Sequence, residues 1–232
     1  ESISFAAPPE LRLVFEGDAR NLQSFNARFN LNAAQADTPW GQAETINFTS
    51  RLFAAATNEL SRVEITLNAA SAQTRWANTT NLNLQLRLLS LVTHPDLVDC
   101  TATLRANAAA TPWATVGQTQ LKARWVHAVT NPVPQSAHVE FDTDMAITRW
   151  ARGARVQFTG DLTPATNLLA PDAALAGWTN LLPYQIEWSA GVGALKASGL
   201  DAEEIASDGP GGPPALARAQ SQARDFFDFP VV

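Results

Sequence analysis

The sequence predicts an all-β fold, a repeat-built antiparallel meander of two-strand units curled into a taco-like or sandwich-like sheet with an apolar inner face. Three observations predict it. A Thr-x-Trp triplet recurs at Thr38-Pro39-Trp40, Thr74-Arg75-Trp76, Thr111-Pro112-Trp113 and Thr148-Arg149-Trp150, so the tryptophans are spaced 36, 37 and 37 residues apart. A fixed period of this size marks a repeat architecture. The flanking residues keep register with each Trp. Eleven before it stand Phe29, Ile65, Ala102 and Val139, and nine before it Leu31, Leu67, Leu104 and Phe141. Eight after it stand Phe48, Leu84, Leu121 and Phe158, and twelve after it Leu52, Leu88, Trp125 and Leu162. All of these are apolar, in a chain that is 46% hydrophobic, so the repeat is not a coincidence of composition. Finally, the apolar residues alternate with Asn, Gln, Arg and Thr at period two, the pattern of a strand with one face buried.

Taken in order, Leu11, Leu13 and Phe15 read as a first strand, punctuated by Gly17-Asp18. Phe25, Ala27, Phe29, Leu31 and Ala33 form the next, with Asn26, Arg28, Asn30 and Asn32 on the other phase. Each unit then repeats one course: a strand approaches Thr-x-Trp, a polar corner follows, and a second strand departs. The corners are expected at 41–44, 77–80, 114–117 and 151–154, and looser loops at 54–61, 90–99 and 127–136. Corner and loop alternate, so consecutive strands pair antiparallel. A degenerate fifth unit is expected around Tyr184, Ile186 and Trp188, completing a repeat domain over residues 1–200. An acidic, then Gly/Pro-rich linker is expected over 201–214 and a short helix with a Phe-rich tail over 215–232, where Phe226, Phe227 and Phe229 offer a contact to a protein partner.

Composition narrows the function classes. The net charge is −6 and the basic residues are scattered singly, which leaves no footprint for nucleic acid. Cys100 is alone, which excludes an intrachain disulfide and a thiolate metal site. The chain starts at Glu1 without Met, as expected of a processed or excised piece. His94, His127 and His138 show no ligand spacing and are expected in loops. Asp142, Asp144 and Asp161 fall on the polar phase or at strand ends. No phosphate loop, nucleophile elbow or zinc motif is present, so neither catalysis nor a cofactor is expected.

A sheet with one apolar face must curl, stack, close into a barrel or meet lipid. The pattern, with its Thr-Pro-Trp-Gly or Thr-Arg-Trp-Ala corner followed by Ile46-Asn47-Phe48 or Leu82-Asn83-Leu84, resembles the AsmA/TamB family of bacterial envelope proteins over roughly residues 10–200. The resemblance implies a sheet folded lengthwise into an apolar groove that conducts phospholipid between membranes, and a periplasmic or envelope location. Phe29, Leu31, Phe48, Leu67, Leu84, Leu104, Leu121, Phe141 and Phe158 are the candidates to line such a groove, with small residues at Ala33, Ala69, Ala106, Ala123 and Gly160 leaving room. The same ladder equally suits a packed core in a structural or accessory subunit, and the alternation also fits an outer-membrane β-barrel. Trp40, Trp76, Trp113 and Trp150 are expected to plug the sheet corners, and the repeated Thr to hydrogen-bond across to the next repeat.

Overall fold

The structure, a computed structural model, describes residues 3–164, 184–197 and 200–210. Its strands are β1 (Ser4–Phe5), β2 (Glu10–Glu16), β3 (Asn26–Thr38), β4 (Gly41–Phe53), β5 (Glu59–Thr74), β6 (Asn78–Leu91) and β7 (His94–Ala106). They continue as β8 (Ala108–Ala110), β9 (Ala114–Val116), β10 (Thr119–Ala128), β11 (Asn131–Thr148), β12 (Ala151–Pro164), β13 (Tyr184–Ala197) and β14 (Leu200–Pro210). All fourteen belong to one antiparallel sheet that follows chain order from β1 and β2, both on β3, to β14. The pairs β7/β8 and β9/β10 are each one strand interrupted once, since β6 pairs with both β7 and β8 and β11 with both β9 and β10. Among the described residues the two edges do not pair, so the sheet is open and does not form the closed ring a barrel requires.

The alternation placed the strands correctly but underestimated their length. Residues 41–44, 77–80 and 151–154, expected as corners, mostly lie in strands, and the loops at the opposite rim shrink to 54–58, 92–93 and 129–130. All three histidines therefore lie in strands, His94 in β7, His127 in β10 and His138 in β11, and not in loops. Residues 201–210, expected to belong to a linker, lie in β14. The expected helix and Phe-rich tail over 215–232, with Phe226, Phe227 and Phe229, lie outside the described residues.

The reason the corners are so tight is the threonine. Thr38 Oγ1 accepts the backbone N–H of Trp40 (3.2 Å) and of Gly41 (3.2 Å) and donates to Gly41 O (2.9 Å). Thr74, Thr111 and Thr148 repeat this on Trp76 and Ala77, Trp113 and Ala114, and Trp150 and Ala151. A hydroxyl that binds its own turn supplies the partners the turn's amides would lack. The threonines thus close their own hairpins and do not reach the next repeat.

A crease crosses the sheet a few residues inside these turns. The ladders omit the opposed pairs Ala34 and Thr45, Ala70 and Asn81, and Asp144 and Arg155. Thr45, Asn81 and Arg155, with Ala194 in β13, have left-handed backbone at φ 51–52°. Each such residue costs on the order of 1 kcal/mol, so its recurrence at one height is a built feature of the fold. In the third unit the interruptions at Asn107 and at Gly117-Gln118 occupy the same height. In the first unit the buried positions slip by one across the crease, from Ala33 to Ala36.

Ala33, Ala36, Ala69 and Ala106, with Thr119 and Thr143, are buried at the crease, and Ser90, Cys100, Ala128, Pro134 and Tyr184 toward the opposite rim. No Leu, Ile, Val, Phe or Trp among the described residues is buried. The inner leucines and phenylalanines of a sandwich would be. The described chain is therefore a single curled layer whose deepest line is paved with small side chains, and substantial contacts between strands run only between ladder neighbours.

Candidate functional site

The register brings eight of the nine groove candidates into one row. Leu31, Phe48, Leu67, Leu84, Leu104, Leu121, Phe141 and Phe158 are successive cross-strand partners from β3 to β12. Leu11 of β2, which sequence reasoning had not connected to them, extends the row at one end. At the other end it fades through Ala190 to Ser207. Strands lie about 4.8 Å apart, so nine apolar positions from Leu11 to Phe158 make a stripe of roughly 38 Å. The ninth candidate, Phe29, lies in the next row, edge-on to Phe48 with ring centroids 5.9 Å apart.

That second row runs from Leu13 through Phe29, Ile65, Leu86 and Val139 to Trp188, but Ser50, Ala102, Ala123 and Gly160 stand between them. Large and small positions in adjacent rows leave relief beside the Leu/Phe stripe. A third row, from Phe15 through Leu52, Val63 and Leu88 to Leu162, completes the face. Its far end is closed by Tyr184, whose hydroxyl donates to Pro134 O at 2.9 Å and whose ring packs on Val133 and Leu162. Burial raises the Tyr184 pKa.

The stripe residues between the edges are half-buried, whereas Phe158 is exposed and the edge-strand residues Leu11, Leu13 and Phe15 are the most open of the face. The only ionisable side chain in the three rows is Cys100, which lies fully buried between Leu88 and Trp125. Burial, with Asp99 adjacent, pushes its thiol pKa up to about 11, so it presents no thiolate.

The opposite face carries the polar and charged residues that alternate with these three rows. There Asn47 Nδ2 donates to Asn32 Oδ1 and Asn83 Nδ2 to Asn68 Oδ1, both at 2.6 Å, in a four-strand asparagine ladder. Further along, Lys122 Nζ meets Glu140 Oε2 at 2.9 Å and His138 Nδ1 meets Asp161 Oδ1 at 2.7 Å. The Asp161 hydrogen bond holds the His138 pKa above its ordinary value, and Lys122 and His138 hold Glu140 below its own. His138 and Asp161 resemble a base with its orienting acid, but the other ring nitrogen faces Glu140 at 3.4 Å and no nucleophile. Asp142 pairs across to Gln120 and Gln157, apart from His138. No group of three or more His, Cys, Asp or Glu side chains among the described residues is arranged to hold a metal. A shallow depression of about 370 Å³ at the β2–β4 corner is lined by Arg12, Arg28 and Arg51 among others, off the Leu/Phe stripe.

Trp40, Trp76, Trp113 and Trp150 do stand at the corners, but they plug nothing. The first three are 57%, 48% and 60% exposed, and Trp150 is half-buried. Arg75 stacks over the Trp76 ring at 4.1 Å and Arg149 over Trp150 at 4.0 Å. With this geometry in hand, comparison with protein-family models, curated proteins and solved structures finds no match.

Proposed function

We propose that this chain is a non-catalytic module that binds lipid acyl chains along its apolar row and hands them across the strands, as a component of a bacterial envelope. The observation that carries the reading is the unbroken stripe from Leu11 to Phe158 on a face over which the described residues place no second layer. Apolar area is worth about 25 cal/mol per Å² once removed from water, so a half-exposed stripe of this length favours an apolar occupant. An acyl chain suits it because the row from Leu11 to Phe158 offers length, with relief beside it, and holds no hydrogen-bonding side chain that would select a polar ligand. The resemblance to the AsmA/TamB family points the same way and supplies the proposed periplasmic or envelope setting.

Native mass spectrometry of protein purified from cells tests this. Co-purifying phospholipid is the expected result, and a lipid-free protein that takes up no fatty acid on titration would refute it. A second reading, a structural subunit of a larger assembly, draws on β2. Leu11, Leu13 and Phe15 are over half exposed on an edge strand, as they would be if another strand continued the sheet there.

A further inference from the structure

We propose that the rim carrying Trp40, Trp76, Trp113 and Trp150 docks against the interfacial layer of a lipid bilayer. The proposal does not depend on a ligand in the apolar row, because rim contact and row occupancy involve different side chains.

The turns themselves do not need tryptophan. In each one the threonine hydroxyl binds two backbone amides and donates to one carbonyl, and the Trp contributes only its main-chain N–H. Any residue could fill that place, yet all four units fill it with the largest side chain and leave three of the rings about half exposed or more. Isolated exposed apolar residues are unremarkable, but a recurring row of them marks an interaction surface.

The row has one sense. Every Trp-bearing turn opens on the same rim, because approach strands β3, β5 and β11 all run toward it. Neighbouring turns are two strands apart, so the rings recur about every 10 Å along a rim of roughly 30 Å. The opposite rim differs: its described loops at 54–58, 92–93 and 129–130 hold no aromatic residue, and that at 17–25 holds one, the half-buried Phe25. Chemistry distinguishes the two rims as well. The four Thr-x-Trp-x turns contain no carboxylate, and their only charges are Arg75 and Arg149.

A bilayer interface fits this combination better than a protein groove does. Trp has an apolar ring and a single N–H donor, which places it at the headgroup level, between hydrocarbon and water. Arg laid over the ring keeps its guanidinium within reach of phosphate while its stem covers apolar surface. A row of anchors recurring along one rim matches an extended partner such as a bilayer surface, whereas a compact protein surface would engage a cluster.

The test uses the full chain and phosphatidylcholine vesicles. Wild type should co-sediment with the vesicles and its tryptophan emission should shift to the blue. Replacing Trp40, Trp76, Trp113 and Trp150 together by Ala should leave the melting temperature and any co-purified lipid unchanged. Co-sedimentation should fall on the order of a hundredfold, since linked contacts act together. The double variant Trp40→Ala/Trp113→Ala keeps both Arg-stacked rings and should fall between. Three outcomes would overturn the proposal: no vesicle binding by wild type, equal binding by the quadruple variant, or retention on an insoluble glycan without vesicle binding. Loss of rim docking with lipid content intact separates this proposal from the acyl-chain reading.

Discussion

Leu84 of β6 lies directly opposite Leu67 of β5, and both are half-buried at the middle of the apolar row. Leu104 faces Leu84 from the other side. The Leu84→Arg variant places a charge between two leucines in a row that carries none from Leu11 to Phe158. Losing the half-burial of one leucine costs about 1–2 kcal/mol, and the guanidinium interrupts the stripe at its centre. Thermal melting should drop by several degrees and co-purified lipid should fall sharply. A variant with unchanged melting and unchanged lipid would show that the row is not the binding surface.

The turn threonines offer a cleaner perturbation, because valine keeps their shape. Thr111→Val removes the acceptor of the Trp113 and Ala114 amides and the donor to Ala114 O. Leaving such groups to compete for water should destabilise the sheet by about 1–2 kcal/mol. Thr111→Ser should restore most of that in urea titrations. Equal stability of the Val and Ser variants would mean that the hairpin closes without the hydroxyl.

Gly41 takes the place that Ala77, Ala114 and Ala151 hold in the later units. Its backbone differs, with φ at +153°, and a Cβ built there would lie 2.1 Å from Gln73 O. Gly41→Ala should therefore cost about 1–3 kcal/mol, although alanine is the repeat's usual residue. Ala114→Gly should cost under about 1 kcal/mol, from chain entropy alone. If Gly41→Ala proves neutral, the first turn must be able to adopt the geometry of the others.

Much of the fold was legible because strand periodicity survives in single residues. The alignment on Trp chose Leu31, Leu67, Leu104 and Phe141, and the ladder makes them neighbours through Phe48, Leu84 and Leu121. The crease was not legible. Thr45, Asn81 and Arg155 share no residue type, since the left-handed conformation is imposed by the sheet around them. Only the slip of the buried positions from Ala33 to Ala36 signals it, and alanine is too weak a marker to reveal that unaided. The exposure of the tryptophans was misjudged for a related reason. Sequence places a large ring at a corner but does not say what covers it: Trp40 and Trp113 stay exposed, while Trp76 and Trp150 carry only an Arg side chain over the ring.

The charged cluster on the outer face should respond to pH. His138 faces Asp161 on β12 and Arg124 on β10, with Glu140 two residues along its own strand and Lys122 opposite Glu140. The Asp161 hydrogen bond raises the folded-state pKa above the ordinary 6.5. The stabilisation is then complete below pH 6.5 and lost as pH rises through the folded value. Solvent exposure makes it small and sensitive to salt. The stability difference between wild type and His138→Gln should favour wild type at pH 5.5, shrink above pH 6.5, and flatten at high salt. A difference that grows with pH would mean that the Asp161 contact does not hold the proton.

Cys100 reports on the integrity of the face from within. It is fully buried between Leu88 and Trp125, and its pKa is pushed from 9.0 up to about 11 by burial, with Asp99 contributing. Thiolate is the reactive form, so a two-unit rise alone slows alkylation on the order of a hundredfold below pH 9. Iodoacetamide at pH 8 should label the native chain very slowly and the urea-unfolded chain quickly. The sign for stability follows from the same shift. The unfolded thiol ionises first, so the folded state loses ground as pH climbs from 9.0 toward about 11, and Cys100→Ser should remove that slope. Fast labelling of the native protein would show that the sheet opens at β6, β7 and β10, the strands that carry the centre of the apolar row.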